Sequence, residues 1–174
     1  MGDVFKEQIV KRKPTFKDTL IRVCLIVLVV LIFFVMIMIL GEFAVIITAA
    51  AGFGAYYLMS FLNVEYEYVF TNGELDIDTI YNKSRRKRMF SAKVNDFELM
   101  AHVEDNNHAA AFGTVQDTRD YSSGVHGPDT YMCLLNYKGK KTKLIFEPNE
   151  KMLKAIAGSI TRRKLHLRPG VVLI

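Results

Sequence analysis

Cysteine is scarce in this chain of 174 residues, and its histidines form no recognisable metal motif. Cys24 lies in a long apolar run and Cys133 in the polar tail, so we expect no disulfide, which suits a reducing compartment. None of the four histidines has the i, i+4 spacing of a helical zinc site; they are His102, His108, His126 and His166. A glycine-rich phosphate loop is also missing from the sequence. The sequence therefore predicts no metal ion and no cofactor.

Acidic and basic residues are missing from two consecutive stretches near the amino terminus. Val23 to Leu40 is 18 residues long and Phe43 to Leu62 is 20, with only Gly41-Glu42 between them. A bilayer core about 30 Å thick needs about 20 apolar helical residues. We therefore predict an N-terminal transmembrane helical hairpin over residues 20–62, with spans of about 20–40 and 43–62. Because charges inside a membrane usually mark transport paths, their absence argues against a transporter or pump.

The basic residues near these spans predict the orientation of the protein. Residues 1–22 carry six Lys or Arg and a net charge of +3, whereas the turn carries only Glu42. Basic flanks remain on the cytoplasmic side, so we predict a multi-pass protein of the cell membrane with both termini cytoplasmic. Residues 1–19 are interpreted as a basic cytoplasmic flank. An amphipathic helix over residues 3–19, lying on anionic lipid, is the alternative.

The second apolar run has small residues in its middle. Small side chains allow two helix backbones to approach closely in a membrane. We expect the two spans to pack through this stretch, and a homo-oligomer through the same surface is the competing possibility. The residues are Ala49, Ala50, Ala51, Gly52, Gly54 and Ala55.

After residue 62 the pattern changes to the alternation of β-strands. Two alternating runs flank Asn72-Gly73 and predict a β-hairpin with one apolar and one acidic face. A basic turn at residues 83–88, a third strand at Met89-Phe90 and a fourth near residues 97–103 follow. Residues 104–129 resemble a long loop with a short strand near 112–115. A second hairpin turns at residues 138–140, and a helix over residues 149–160 is capped by Asn149.

This order of elements resembles the bacterial pleckstrin-homology-like (PH-like) domains. The segments that carry the resemblance are residues 65–70, 74–78, the basic run 83–88 and Phe146 to Asn149. Together with the apolar hairpin, they resemble small membrane proteins of Gram-positive bacteria. The resemblance implies an α+β membrane protein: a transmembrane hairpin, then a mainly antiparallel β PH-like barrel or sandwich over residues 63–161, closed by a C-terminal helix. Residues 162–174 form a basic tail, and no catalytic residues are implied.

Two polar segments of the tail are candidate sites. The basic segment has five charges: Lys83, Arg85, Arg86, Lys87 and Arg88. These residues either bind anionic lipid headgroups or a partner, or they pair with carboxylates across neighbouring strands. The second segment, residues 117–126, contains serines, His126 and aspartates, which a hydrolase could use in a catalytic triad.

Our leading hypothesis is a non-enzymatic integral membrane protein that presents a cytoplasmic PH-like domain to a protein partner. Anionic-lipid sensing through residues 83–88 is the first alternative, and a membrane-bound hydrolase using residues 117–126 is the second. The expected partners are the lipid bilayer, a protein and further copies of the chain. A net charge of +3 in the tail and the lack of interleaved aromatic residues argue against nucleic acid.

Overall fold

The computed structural model describes residues 4–105 and 107–168. These residues divide into two compact units. The β unit comprises residues 4–13, 65–80 and 85–168, and the helical unit comprises residues 14–64 and 81–84. The β unit is therefore discontinuous in sequence, because the helical unit is inserted into it.

The first sheet of the β unit has four strands in the order β1-β2-β3-β4. Their bounds are β1 Phe5–Lys11, β2 Val64–Thr71, β3 Glu74–Tyr81 and β4 Arg85–Lys93. The predicted hairpin between β2 and β3 is confirmed. Asn72 and Gly73 form its turn with φ angles of 49° and 91°, the positive values that a two-residue turn requires.

Strand β1 corrects the sequence-based interpretation of the amino-terminal flank. The amphipathic-helix alternative is wrong, since β1 pairs antiparallel with β2 from Phe5↔Thr71 to Lys11↔Glu65. Gln8 also joins β1 to residues 147–149, because its side-chain amide donates to Glu147 O at 2.8 Å and accepts from Asn149 N at 2.7 Å. The amino-terminal segment is thus an integral strand of the β unit.

The second sheet has five strands in the order β6-β8-β7-β5-β9. Their bounds are β5 Phe97–His102, β6 Asp117–Asp120, β7 Tyr131–Tyr137, β8 Lys140–Phe146 and β9 Leu165–His166. The predicted β7–β8 hairpin is confirmed. Two pairs, β6–β8 and β5–β9, are parallel, and neither was expected. In the segment interpreted as a loop, residues 112–115 are not a strand; a 3-10 turn at Ala109–Gly113 precedes β6.

The C-terminal helix α3, Glu150–Ser159, is confirmed together with its cap, since the Asn149 side chain accepts from Met152 N at 2.9 Å. Its apolar face, which includes Leu153 and Ile156, is buried. Aromatic side chains from both sheets meet in the core: Tyr66 with Tyr121, Tyr68 with Phe146, and Phe90 with both Tyr121 and Tyr137.

The helical unit contains α1, Phe16–Leu40, and α2, Ala44–Ser60, joined by a 3-10 turn at Gly41–Phe43. Gly41 has φ 56° and ψ −127°, a conformation open almost only to glycine, so α1 ends there. In the described part of the chain, one stretch is long and apolar enough to cross a membrane, Phe16–Ser60. The sequence had instead predicted two separate spans, 20–40 and 43–62.

The chain folds back on itself within this apolar stretch. Helices α1 and α2 contact each other, and Arg22 Nη2 donates to Asn63 Oδ1 at 3.0 Å. A straight helix would separate these two residues by about 60 Å. The large apolar side chains that point away from the contact are exposed, among them Ile26, Leu31, Phe34, Met38, Ile46 and Phe53.

Candidate functional site

The basic segment lies at one edge of the first sheet. Arg85 to Arg88 form the first half of β4, the last strand of that sheet, and are not part of a turn as predicted. The turn is shorter and contains Asn82 and Lys83, both with positive φ. Because a strand alternates its side chains between two faces, the four consecutive basic residues at the start of β4 divide into two pairs.

Arg86 binds a carboxylate on β2, and Arg88 binds carboxylates on β3. Arg86 Nη2 lies 3.0 Å from Glu67 Oε1. Arg88 bridges two aspartates of β3, with Nη1 2.9 Å from Asp76 Oδ2 and Nε 3.0 Å from Asp78 Oδ1. The hydrogen bond to Asp78 raises the pKa of Arg88. Arg86 and Arg88, two members of the predicted binding segment, therefore pair with carboxylates within the domain, as the cross-strand pairing hypothesis predicts.

Glu67 is the most buried charged residue on this face, with 2% of its surface exposed. Burial raises the pKa of its carboxyl group, and the neighbouring carboxyl of Glu7 on β1 raises it further. The positive charge of Arg86 acts in the opposite direction. Arg86 thus compensates a buried acidic group, which ties it to the stability of the sheet.

The exposed residues of the basic segment follow the edge of the sheet. Residues 85–88 are all exposed, and Arg85 and Lys87 alternate with the two paired arginines. Further along β4, Arg88 pairs on the acidic face while Phe90, two residues later, is fully buried in the core. Since alternate residues normally share a face, β4 is irregular near Met89, whose carbonyl accepts from Arg119 Nη1 at 3.3 Å. The part of β4 that keeps a regular alternation is therefore its basic first half, residues 85–88.

The segment proposed for hydrolysis has the wrong order of hydrogen bonds for a catalytic triad. Ser122 Oγ donates to Asp120 Oδ1 at 2.6 Å, and His126 Nε2 lies 3.3 Å from the other oxygen of the same carboxylate. In a triad the histidine must lie between serine and carboxylate, so that it accepts the serine proton. Ser122 is also buried and accepts from Gly124 N at 3.1 Å. This arrangement is that of a hydrogen-bonded turn.

Two histidines and an aspartate, which the sequence does not predict to be close together, lie at the end of the second sheet. Asp105, His108 and His166 present three ligand atoms within 4.8 Å of one another. They line a pocket of about 670 Å³ with His102 and Glu104. The hydrogen bond from His108 holds the pKa of Asp105 below its usual value. Sequence spacing does not reveal this group, because His108 and His166 are far apart in sequence and meet only through the β5–β9 pairing.

The small residues of α2 are divided between two sides of the helix. Ala55 is buried, and Ala51 and Gly52 are partly buried. Three of the predicted packing residues are exposed: Ala49, Ala50 and Gly54. A Cβ atom added at Gly52 or Gly54 would meet nothing within 4 Å. The packed side also includes Ala44 and Thr48, which continue the helical repeat of Ala51 and Ala55.

Comparison with known proteins identifies a family. No curated protein and no solved structure was found to match the chain. The family model described as "Bacterial PH-like domain (DUF6106)" matches residues 2–166, which includes β1, the inserted helices and β9. The two sheets and the C-terminal helix agree with that description. The chain therefore belongs to the DUF6106 family of bacterial PH-like domains.

Proposed function

We propose that this protein is a non-enzymatic, membrane-anchored interaction module. The apolar stretch Phe16–Ser60 enters the bilayer as a hairpin, and the PH-like domain binds a protein partner at the cytoplasmic surface. Two observations support the anchor: the stretch is long and apolar enough to span, and its large side chains are exposed. Such a continuous apolar surface is unfavourable in water and favourable in lipid.

The pairing of β1 with β2 carries the argument for a hairpin with two crossings. β1 precedes the apolar stretch and β2 follows it, yet the two strands are neighbours in one sheet, with Lys11 opposite Glu65. A folded domain lies on one side of a membrane, so the stretch must leave and re-enter on that side. An even number of crossings follows, and the Arg22–Asn63 hydrogen bond agrees with two.

The side on which the domain lies follows from the basic residues at the start of the stretch. Lys11, Arg12, Lys13, Lys17 and Arg22 cluster before and at the beginning of α1, whereas the turn carries Glu42. Basic residues at the ends of spans are retained in the cytoplasm. Both termini and the domain would then be cytoplasmic, with Glu42 outside.

Cysteine accessibility tests this topology in intact cells. In a Cys24→Ser background, we expect Glu42→Cys to react with a membrane-impermeant maleimide in intact cells. Glu98→Cys, on the exposed face of β5, is expected to react only after permeabilisation. Labelling of Glu98→Cys but not of Glu42→Cys in intact cells would show that the domain lies on the opposite side of the membrane. Equal labelling of both positions in intact cells, or release of the protein by alkaline extraction, would contradict the anchor.

The surface that supports partner binding best is the basic edge of β4. An edge strand presents unpaired backbone groups to which an extended segment can add as a further strand. The exposed basic residues along this edge favour an acidic segment of another protein. The lipid alternative is less well supported, because Arg86 and Arg88 already pair with carboxylates within the domain.

Photo-crosslinking from Lys87 distinguishes the protein partner from lipid. With a photo-reactive residue at position 87 in native membranes, we expect protein adducts that are absent when the same residue stands at position 98. In the same chain, Arg85→Glu is expected to reduce these adducts at least tenfold, while the matched change Lys93→Glu at the other end of β4 leaves them unchanged. Adducts formed only with anionic lipid would support lipid sensing, and adducts to the chain itself would identify a homo-oligomer.

A further inference from the structure

The second sheet ends in a cluster of metal-binding side chains. His166 lies on β9, which pairs in parallel with β5 so that Ala101 and His166 are opposite each other. Asp105 and His108 lie on the turn that follows β5. Parallel pairing places the ends of both strands on the same side, so the three side chains converge although His166 is remote in sequence.

The separations within the cluster are close to those between the ligands of one metal ion. Asp105 Oδ2 lies 2.8 Å from His108 Nδ1, and the rings of His108 and His166 have centroids 3.9 Å apart. One ligand atom from each residue lies within 4.8 Å of the other two. For bonds of 2.0–2.1 Å around a tetrahedral ion, ligand atoms stand about 3.3 Å apart. Rotation of partly exposed side chains covers the difference, since His108 is 30% exposed and Asp105 18%.

Hydrogen bonds from the chain orient the carboxylate before any ion arrives. Asn107 N donates to Asp105 Oδ1 at 3.0 Å, which leaves Oδ2 directed towards His108. Such supporting bonds fix the ligands of metal sites. His102, by contrast, uses both ring nitrogens within the protein, because Nδ1 accepts from Glu104 N and Nε2 bonds to Pro128 O. His102 therefore lines the pocket without being a ligand.

From this geometry we propose that Asp105, His108 and His166 bind a divalent transition-metal ion such as Zn²⁺. Two imidazoles and one carboxylate suit ions of borderline softness, whereas Mg²⁺ and Ca²⁺ prefer oxygen alone. Three protein ligands leave a coordination position open, and it faces the pocket that Glu104 also lines. The ion would join β9 to the turn after β5, and so hold β9 on the second sheet.

Cobalt binding tests the proposal with a direct optical signal. The full-length chain is purified in detergent without a histidine tag, stripped with a chelator and titrated with Co²⁺. We expect one equivalent to bind with visible d–d absorption and to be displaced by Zn²⁺. His108→Ala and His166→Ala should each weaken binding at least about 100-fold, more than the 10–100-fold loss typical of residues that only support ligands.

His126 provides the matched control. It forms a similar histidine–carboxylate pair with Asp120 at 3.3 Å, outside the cluster. His126→Ala should leave the Co²⁺ affinity unchanged. Metal-free melting of His166→Ala should match the metal-free wild type, which shows that any lost affinity is not lost folding. Equal binding by His166→Ala, an equal loss in His126→Ala, or an intense thiolate-to-cobalt band from Cys24 or Cys133 would overturn the assignment.

Discussion

Replacing Tyr68 by alanine is expected to lower the free energy of unfolding of the PH-like domain by about 3–5 kcal/mol. Tyr68 is fully buried in β2 and packs edge-to-face on Phe146 of β8, so its side chain joins the two sheets. Its hydroxyl donates to Tyr121 O and accepts from Glu147 N. Burial raises its pKa far above the usual tyrosine value, so the hydroxyl remains a donor at any physiological pH.

The reactivity of Cys133 provides the measurement. Cys133 is fully buried in β7, and burial raises the pKa of its thiol, so it reacts only when the domain opens. In a Cys24→Ser background, the Tyr68→Ala variant should be labelled by a thiol reagent at least about 100-fold faster than its parent. Tyr68→Phe should lie between them, because it removes only the two hydrogen bonds, worth about 1–3 kcal/mol.

Tyr56→Ala is the control for this series. Tyr56 lies in α2 and is largely exposed, so its removal should leave the labelling of Cys133 unchanged. If Tyr68→Ala were labelled as slowly as the parent protein, the packing of the two sheets through Tyr68 would be wrong.

Deleting residues 5–11 is expected to abolish folding of the PH-like domain, although about fifty residues separate this segment from β2. The deletion removes all seven strand pairs between β1 and β2 and the two hydrogen bonds of Gln8 with Glu147 and Asn149. A domain of this size is stable by only about 5–15 kcal/mol. We therefore expect that losing β1, one of the four strands of the first sheet, unfolds it. We expect thiol reagents to label Cys133 rapidly in the deletion variant, and proteases to digest its β unit rapidly.

A double substitution separates the backbone of β1 from its side chains. Phe5 and Ile9 are 55% and 51% exposed, so Phe5→Ser with Ile9→Ser should keep the strand and leave Cys133 protected. Slow labelling of Cys133 in the deletion variant would show that β1 is dispensable. It would then remove the argument that both ends of the apolar stretch lie on one side of the membrane.

Elements that depend on neighbouring residues were predicted well. The Asn72-Gly73 and Lys138-Gly139 turns each place a glycine at a positive φ angle, so both hairpins could be located from sequence. The cap of α3 was located in the same way, since Asn149 bonds to a residue only three positions away. Each of these features is decided by interactions within a few residues.

Strand β1 could not be predicted in this way. Its partner β2 is more than fifty residues away, and most of its side chains are exposed, which removes the alternation that marks a half-buried strand. The adjacent Ile9 and Val10 fit a helix equally well. The parallel β6 and β9 strands likewise depend on partners remote in sequence.

The candidate sites show the same division. The sequence by itself determined the apolar stretch, the basic run and the acidic face of β2 and β3, because each is a property of composition and alternation. Only the tertiary structure decided that Arg86 and Arg88 bind those acidic residues, that Asp120 separates Ser122 from His126, and that Asp105 and His108 meet His166. The physical reason is that charge pairs and metal ligands depend on distances of a few ångströms. Those distances are set by which strands pair, and no local pattern contains that information.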